Sequence, residues 1–144
     1  MVLGPATTAG AASSLADAVV TPSADPSAGS YGGCGGSIDA SGDVDGDGRS
    51  DLLIGCPYDA SLGQIYAGSA YLFYGGISGA TAETADARAR FKGSQITEYM
   101  GQAGVIVPDV DSDGYDEVLV GAPSWDNGST SSVGRATLFL GGSW

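Results

Sequence analysis

The chain has no histidine, one lysine and four arginines among its 144 residues. Without histidine, Ser-His and Cys-His catalysis and any His-ligated zinc site are excluded. Five basic side chains stand against 17 acidic ones, for a formal charge of −12. No basic patch can be assembled from so few, so neither nucleic acid nor an anionic membrane surface is an expected partner. No apolar run approaches the ~20 residues needed to cross a bilayer. The N-terminal stretch lacks the basic region and continuous apolar segment of a signal peptide. Cysteine is also scarce. Cys34 and Cys56 lie 22 positions apart, and either pair in one disulfide or fill core space as buried thiols. These absences leave carboxylates, glycines and short apolar runs as the material to read.

The carboxylates are not scattered. A nine-residue acidic loop occurs twice, as Asp43-Val44-Asp45-Gly46-Asp47-Gly48-Arg49-Ser50-Asp51 and as Asp109-Val110-Asp111-Ser112-Asp113-Gly114-Tyr115-Asp116-Glu117. Acids fall at positions 1, 3, 5 and 9 and glycine at position 6. Four carboxylates in nine residues repel one another unless a cation sits among them, and hard oxygen ligands favour Ca²⁺. The expected ligands are Asp43, Asp45, Asp47, the Arg49 carbonyl and Asp51 in one loop. In the other they are Asp109, Asp111, Asp113, the Tyr115 carbonyl and Glu117. Gly48 and Gly114 are expected to take the left-handed turn that wraps a loop around an ion. An EF-hand starts this way but needs a bidentate Glu at position 12 on an exiting helix. Here position 12 is Ile54 or Val120, inside short apolar runs closed by Gly, which predict buried strands.

From residue 31 the chain repeats with an offset of 66. Gly35 matches Gly101, Gly55-Cys56-Pro57 matches Gly121-Ala122-Pro123, and Gly68–Gly76 matches Gly134–Gly142. Each repeat reads as strand 1 (34–41 and 100–107), acidic loop, strand 2 (51–56 and 117–122), long loop and strand 3 (68–75 and 134–141). A half-exposed fourth strand is expected over 87–92, where small or apolar residues alternate with basic ones. The second repeat stops before its equivalent. Residues 1–30 read as a low-complexity arm, with a strand over 15–21 or a short helix over 12–18. The domain reading is therefore arm 1–30, blade 31–93 and blade 94–144, an all-β fold of two β-propeller blades built as antiparallel four-stranded sheets.

The Gly-containing start of strand 1, the Asp-x-Asp-x-Asp-Gly loop, the Gly-Ala-Pro end of strand 2 and the Gly-x-x-x-x-Phe strand 3 together resemble the FG-GAP repeat of integrin α-subunit propellers, over residues 34–142. The resemblance implies two structural Ca²⁺ ions, one in each loop between strands 1 and 2. The chain departs from the pattern where Cys34 and Met100 replace the Phe before Gly, where Cys56 replaces the Ala before Pro, and where Glu117 replaces the ninth-position Asp. The two cysteines fall on adjacent strands of one blade, where a disulfide would contribute about 3 kcal/mol.

A blade needs a neighbour on each side to bury its faces. Two blades, the second lacking its outer strand, predict either membership of a longer propeller or closure into a ring of copies, with 15–21 completing a neighbour's last blade. A trimer giving six blades is the preferred ring, within the usual 4–8. Strand alternation puts both acidic loops on one face and the long loops 57–67, 94–99 and 123–133 on the other. Those carry Tyr58, Tyr66, Tyr99 and Trp125. Tyr58, Trp125, Asp126 and Asn127 form the candidate ligand face, for a protein or a glycan, against the plain alternative that the rings pack over their own blade. Asn127-Gly128-Ser129 fits an N-glycosylation sequon. The expected function is a calcium-stabilised interaction or adhesion module, extracellular, at the cell surface or periplasmic, with a carbohydrate-binding lectin as the alternative. An enzyme would have to draw a catalytic pair from Asp59, Glu83, Asp86, Glu98 or Asp126, and nothing in their spacing pairs them.

Overall fold

The computed structural model describes residues 19–21, 33–60, 63–76, 81–83 and 86–143. Its elements are all strands, in the order β1 Val19–Thr21, β2 Ser37–Asp39, β3 Leu52–Cys56, β4 Ser69–Phe73, β5 Thr81–Glu83, β6 Ala89–Lys92, β7 Ala103–Val107, β8 Glu117–Ala122 and β9 Arg135–Phe139. They form a four-stranded antiparallel sheet β2-β3-β4-β6, a three-stranded antiparallel sheet β7-β8-β9, and a two-stranded parallel pair β1-β5. The two larger sheets are the two expected blades, and no α-helix occurs among the described residues.

The register follows the sequence repeat. Leu53 faces Leu72 across β3-β4, and Leu119 faces Leu138 across β8-β9. Every residue of β4 is buried. Ala70 and Leu72 point into the core between the blades, while Tyr71 and Phe73 join Ile54 and Cys56 in a second cluster on the other face. The outer strand β6 alternates as expected, with Phe91 buried between exposed Arg90 and Lys92. The core between the blades gathers Val44, Leu53, Leu72, Phe91, Met100, Ile106, Val118 and Val120, and the Phe91 and Phe139 rings meet at 4.4 Å.

The inner strands of the two blades are joined by polar contacts. Ile106 N donates to Asp39 Oδ2 at 2.7 Å and Ser37 Oγ donates to Gly101 O at 3.1 Å. Burial pushes the Asp39 carboxyl up, but the bonds from Ile106 and from Ser41 outweigh it and hold the group below the usual carboxylate range. The approach is close enough that a Cβ at Gly55 would run into Gly101 O.

Two expectations need adjustment. The first strand of blade 1 is only β2, shorter than 34–41, because Gly33 and Gly35 take φ of 57° and 94°. Gly35 N and Gly36 N then both donate to Gly55 O, at 2.9 and 3.1 Å, and this doubled bond ends the regular ladder. It also brings Cys34 beside Cys56, and the two form a disulfide, which settles the choice that spacing left open. Residues 19–21 do form a strand, yet it pairs with Thr81–Glu83 of the same chain and not with β9. Residues 12–18, where a helix or the start of that strand was expected, lie outside the described residues.

Candidate metal centre

Both acidic loops leave the first strand of a blade and return as its second, β2 to β3 and β7 to β8. Each is organised by its own first carboxylate. Asp43 accepts from Asp47 N at 3.0 Å and Gly48 N at 2.8 Å. Asp109 accepts from Ser112 N, Asp113 N and Gly114 N, at 2.6, 3.1 and 2.9 Å. Gly48 and Gly114 have φ of 83° and 94°, the left-handed turn expected at position 6. The fourth position is left-handed too, and Ser112, with φ 66°, takes it without glycine's freedom.

The ninth position enters the core. Asp51 and Glu117 are both fully buried, and each accepts from the amide of its loop's second residue: Val44 N to Asp51 Oδ2 at 2.7 Å, Val110 N to Glu117 Oε2 at 2.8 Å. The second oxygens differ. Asp51 Oδ1 accepts from Gly75 N at 2.7 Å. Glu117 Oε1 is buried with no hydrogen-bond partner. Burial, followed by the neighbouring Asp45 and Asp43 charges, raises the Asp51 carboxyl above its ordinary value despite its two backbone donors.

The second loop brings Asp109, Asp111, Asp113 and Glu117 together, with one carboxylate oxygen of each within 4.8 Å of the others. The first brings together Asp43, Asp45 and Asp51 in the same way. Asp47, expected among them, is not in that group, although its equivalent Asp113, which accepts from Tyr115 N at 3.1 Å, is in the other. Asp47 Oδ1 accepts from Arg49 N at 2.9 Å and its Oδ2 lies 3.7 Å from the Arg49 guanidinium. These clusters have the donor chemistry for a hard divalent cation. The bare oxygen of Glu117 is what a metal fit requires: an acceptor with no protein donor, next to three carboxylates, is costly unless a cation completes it.

On the opposite face Tyr58, Tyr66 and Tyr99 cluster, with ring centroids 5.8–6.2 Å apart. Tyr58 packs edge-on against the other two and stays 47% exposed, more open than Trp125, the other ring among the candidate ligand-face residues. Trp125 packs against the core and lies 5.0 Å beneath the Arg135 guanidinium. Asp126 accepts from Ser132 N, and Asn127 Oδ1 from Ser129 N and Thr130 N. Two buried acids that spacing did not explain are structural. Glu98 accepts from Ser94 N, Gln95 N and Arg135 Nη2, at 2.7–2.9 Å, and ties the β6-β7 loop to β9. Asp59 accepts from Tyr71 Oη at 2.5 Å and Arg90 Nη2 at 2.7 Å. Burial and then that carboxylate push the Tyr71 phenol far above its usual range. Sequence reading also passed over Asp116, which accepts from Asp43 N and Asp109 N.

A family model described as FG-GAP repeat matches residues 35–73 and 100–139, one match per blade. No curated relative matches the chain. Among the described residues no helix is long and apolar enough to cross a membrane.

Proposed function

From the premise that this chain belongs to the FG-GAP repeat family, and so is an integrin-like propeller module, we propose that it binds two Ca²⁺ ions in a structural role and serves protein interaction or adhesion. The observation that carries the metal reading is Glu117 Oε1, buried and unpartnered beside Asp109, Asp111 and Asp113. Asp109, Asp111, Asp113, Glu117 and the Tyr115 carbonyl would hold one ion. Asp43, Asp45, Asp51 and the Arg49 carbonyl would hold the other, joined by Asp47 once it turns away from Arg49. Each ion would tie the first strand of its blade to the second. At ten to a hundred times Kd, each site would contribute about 1.4–2.7 kcal/mol. Asp45→Ala and Asp111→Ala should each lower the melting temperature in Ca²⁺, and the double variant should lose the response to chelator. Equal melting of wild type and double variant in both conditions would refute the reading.

An open face on blade 2 supports a further blade there. Leu119, Ala136 and Leu138 of blade 2 are the repeat equivalents of Leu53, Ala70 and Leu72. The latter three are buried against blade 2, whereas Leu138 is 45% exposed. We place a further FG-GAP blade on that open face, from a copy of this chain or from an adjoining repeat, and a trimer of six blades is the ring we favour. The disulfide supports an oxidising location: extracellular, cell-surface or periplasmic.

Carbohydrate binding is the second reading, and the exposed Tyr58 ring beside Tyr66 and Tyr99 is what favours it. Glycan binding by purified protein that is lost in Tyr58→Ala would establish it. Absence of binding to any glycan on an array would remove it.

A further inference from the structure

Asp116 is the eighth residue of the second loop, one place before the buried glutamate, where the first loop has Ser50. Its carboxylate reaches across the blade boundary. Oδ2 accepts from Asp43 N at 2.8 Å, and Oδ1 accepts from Asp109 N at 3.1 Å. Asp116 N donates in return to Asp43 O at 3.1 Å. Asp43 and Asp109 are the first residues of the two loops. One side chain therefore holds the backbone from which both ligand sets are projected.

The surrounding contacts make this bridge stiff. Val44, next to Asp43, is fully buried between the blades and its carbonyl accepts from Gly142 N of blade 2 at 2.8 Å. The Tyr115 ring lies against Gly46, where a Cβ would come within 2.8 Å of the ring, and Gly42 lies as close to Asp116 Oδ2, at 2.6 Å from a Cβ. Neither loop can shift its first residue without disturbing the carboxylate that also anchors the other.

We infer that Asp116 couples the two metal loops, so that a divalent cation in one raises the affinity of the other. The inference rests on the metal reading proposed above. The ordering cost sets its sign. An ion in either loop fixes that loop's first residue and with it Asp116, so the other loop has less ordering left to lose when it binds. The two dications also repel, which opposes the coupling, so the ordering effect must exceed that repulsion. The coupling must be reciprocal, with each site raising the other by the same factor. Asp116 is a positioning residue here, not a ligand.

The test is calcium titration calorimetry on the full chain after chelation. Wild type, Asp45→Ala and Asp111→Ala are each compared with and without Asp116→Asn. The Asn keeps one acceptor and loses the charge, and Asp116→Ala serves as a second replacement. With Asp116 intact, disabling one loop should weaken the other several-fold, within the range of about 5–150-fold usual for coupled sites. With Asp116→Asn, the remaining loop should be indifferent to the loss of its neighbour. A second readout is the Asp43 backbone amide resonance in Asp45→Ala. It should shift on calcium addition, although only the second loop can bind, and should stay still when Asp116→Asn is added. Two calcium ions bound independently in the wild type would overturn the coupling while leaving the metal reading intact. Coupling that survives both replacements would overturn the role of Asp116. No calcium binding at all would defeat the metal reading, and this inference with it.

Discussion

In the first loop Arg49 stands where the second has Tyr115, and Asp51 stands where the second has Glu117. With Gly46 against Ser112 and Ser50 against Asp116, these exchanges separate the two loops. Arg49 lies 3.7 Å from Asp47, the one acid of that spacing outside the cluster. The shorter Asp51 spends both oxygens on Val44 N and Gly75 N. The first loop therefore meets much of its own electrostatic need. The second has no cation of its own, gathers four acids, and leaves one buried oxygen bare. The lesson is that loops sharing acids at positions 1, 3, 5 and 9 can carry unequal demand for an ion, set by the residues at positions 7, 8 and 9. The blades differ in parallel: the inner face of blade 1 is covered, whereas its repeat equivalent on blade 2 is open.

The largest expected effect tests the faces. Leu72→Ala should cost about 2–5 kcal/mol, as truncation of a fully buried leucine does. The equivalent Leu138→Ala should cost under about 1 kcal/mol in dilute monomer, because that side chain is 45% exposed. At concentrations where copies associate, the two costs should converge. Equal costs in dilute monomer, from denaturant midpoints, would contradict the assignment of an open face.

Next comes the disulfide, which only blade 1 possesses. Replacing Cys34 and Cys56 together by Ser should cost about 3 kcal/mol. Hydrogen exchange should quicken in β2 and β3 before β8 and β9; equal quickening in both blades would show that the bridge does not act locally.

The loops themselves are separated by conservative amides. In calcium, Glu117→Gln should lose the contribution of its site, about 1.4–2.7 kcal/mol. In chelator the same change should leave the protein as stable as wild type or more so, since an unpaired buried charge is gone. Asp51→Asn should destabilise even in chelator, by about 1–3 kcal/mol, because an amide cannot accept from both Val44 N and Gly75 N. Melting curves showing the same sign for both variants in chelator would erase the distinction between the loops. The smallest effect is expected from Arg49→Ala, an exposed partner. It should free Asp47 and tighten the first loop for calcium by no more than a few-fold, and a weakened first loop would show that Arg49 supports the site.

Much of this was legible in the sequence because it depends on local spacing. The apolar runs at 52–56 and 117–122 announced buried strands, and Gly48 and Gly114 announced the turns. Features set by how one blade meets the other were not legible. The bond from Asp43 N to Asp116 joins residues 73 apart, and nothing in either loop foretells it. The placing of Asp47 beside Arg49 is a side-chain contact between neighbours, which the acidic spacing alone does not decide. Strand β5 has only three residues, Thr81-Ala82-Glu83, too few to show a period. The disulfide hung on register, and the register hung on the glycines at 33, 35 and 36.

The most direct test of the central claim is anomalous diffraction from crystals of the chain grown in calcium. The account predicts one anomalous peak in each loop, the second bonded to Glu117 Oε1. Peaks in neither loop, with that oxygen still bare, would contradict it.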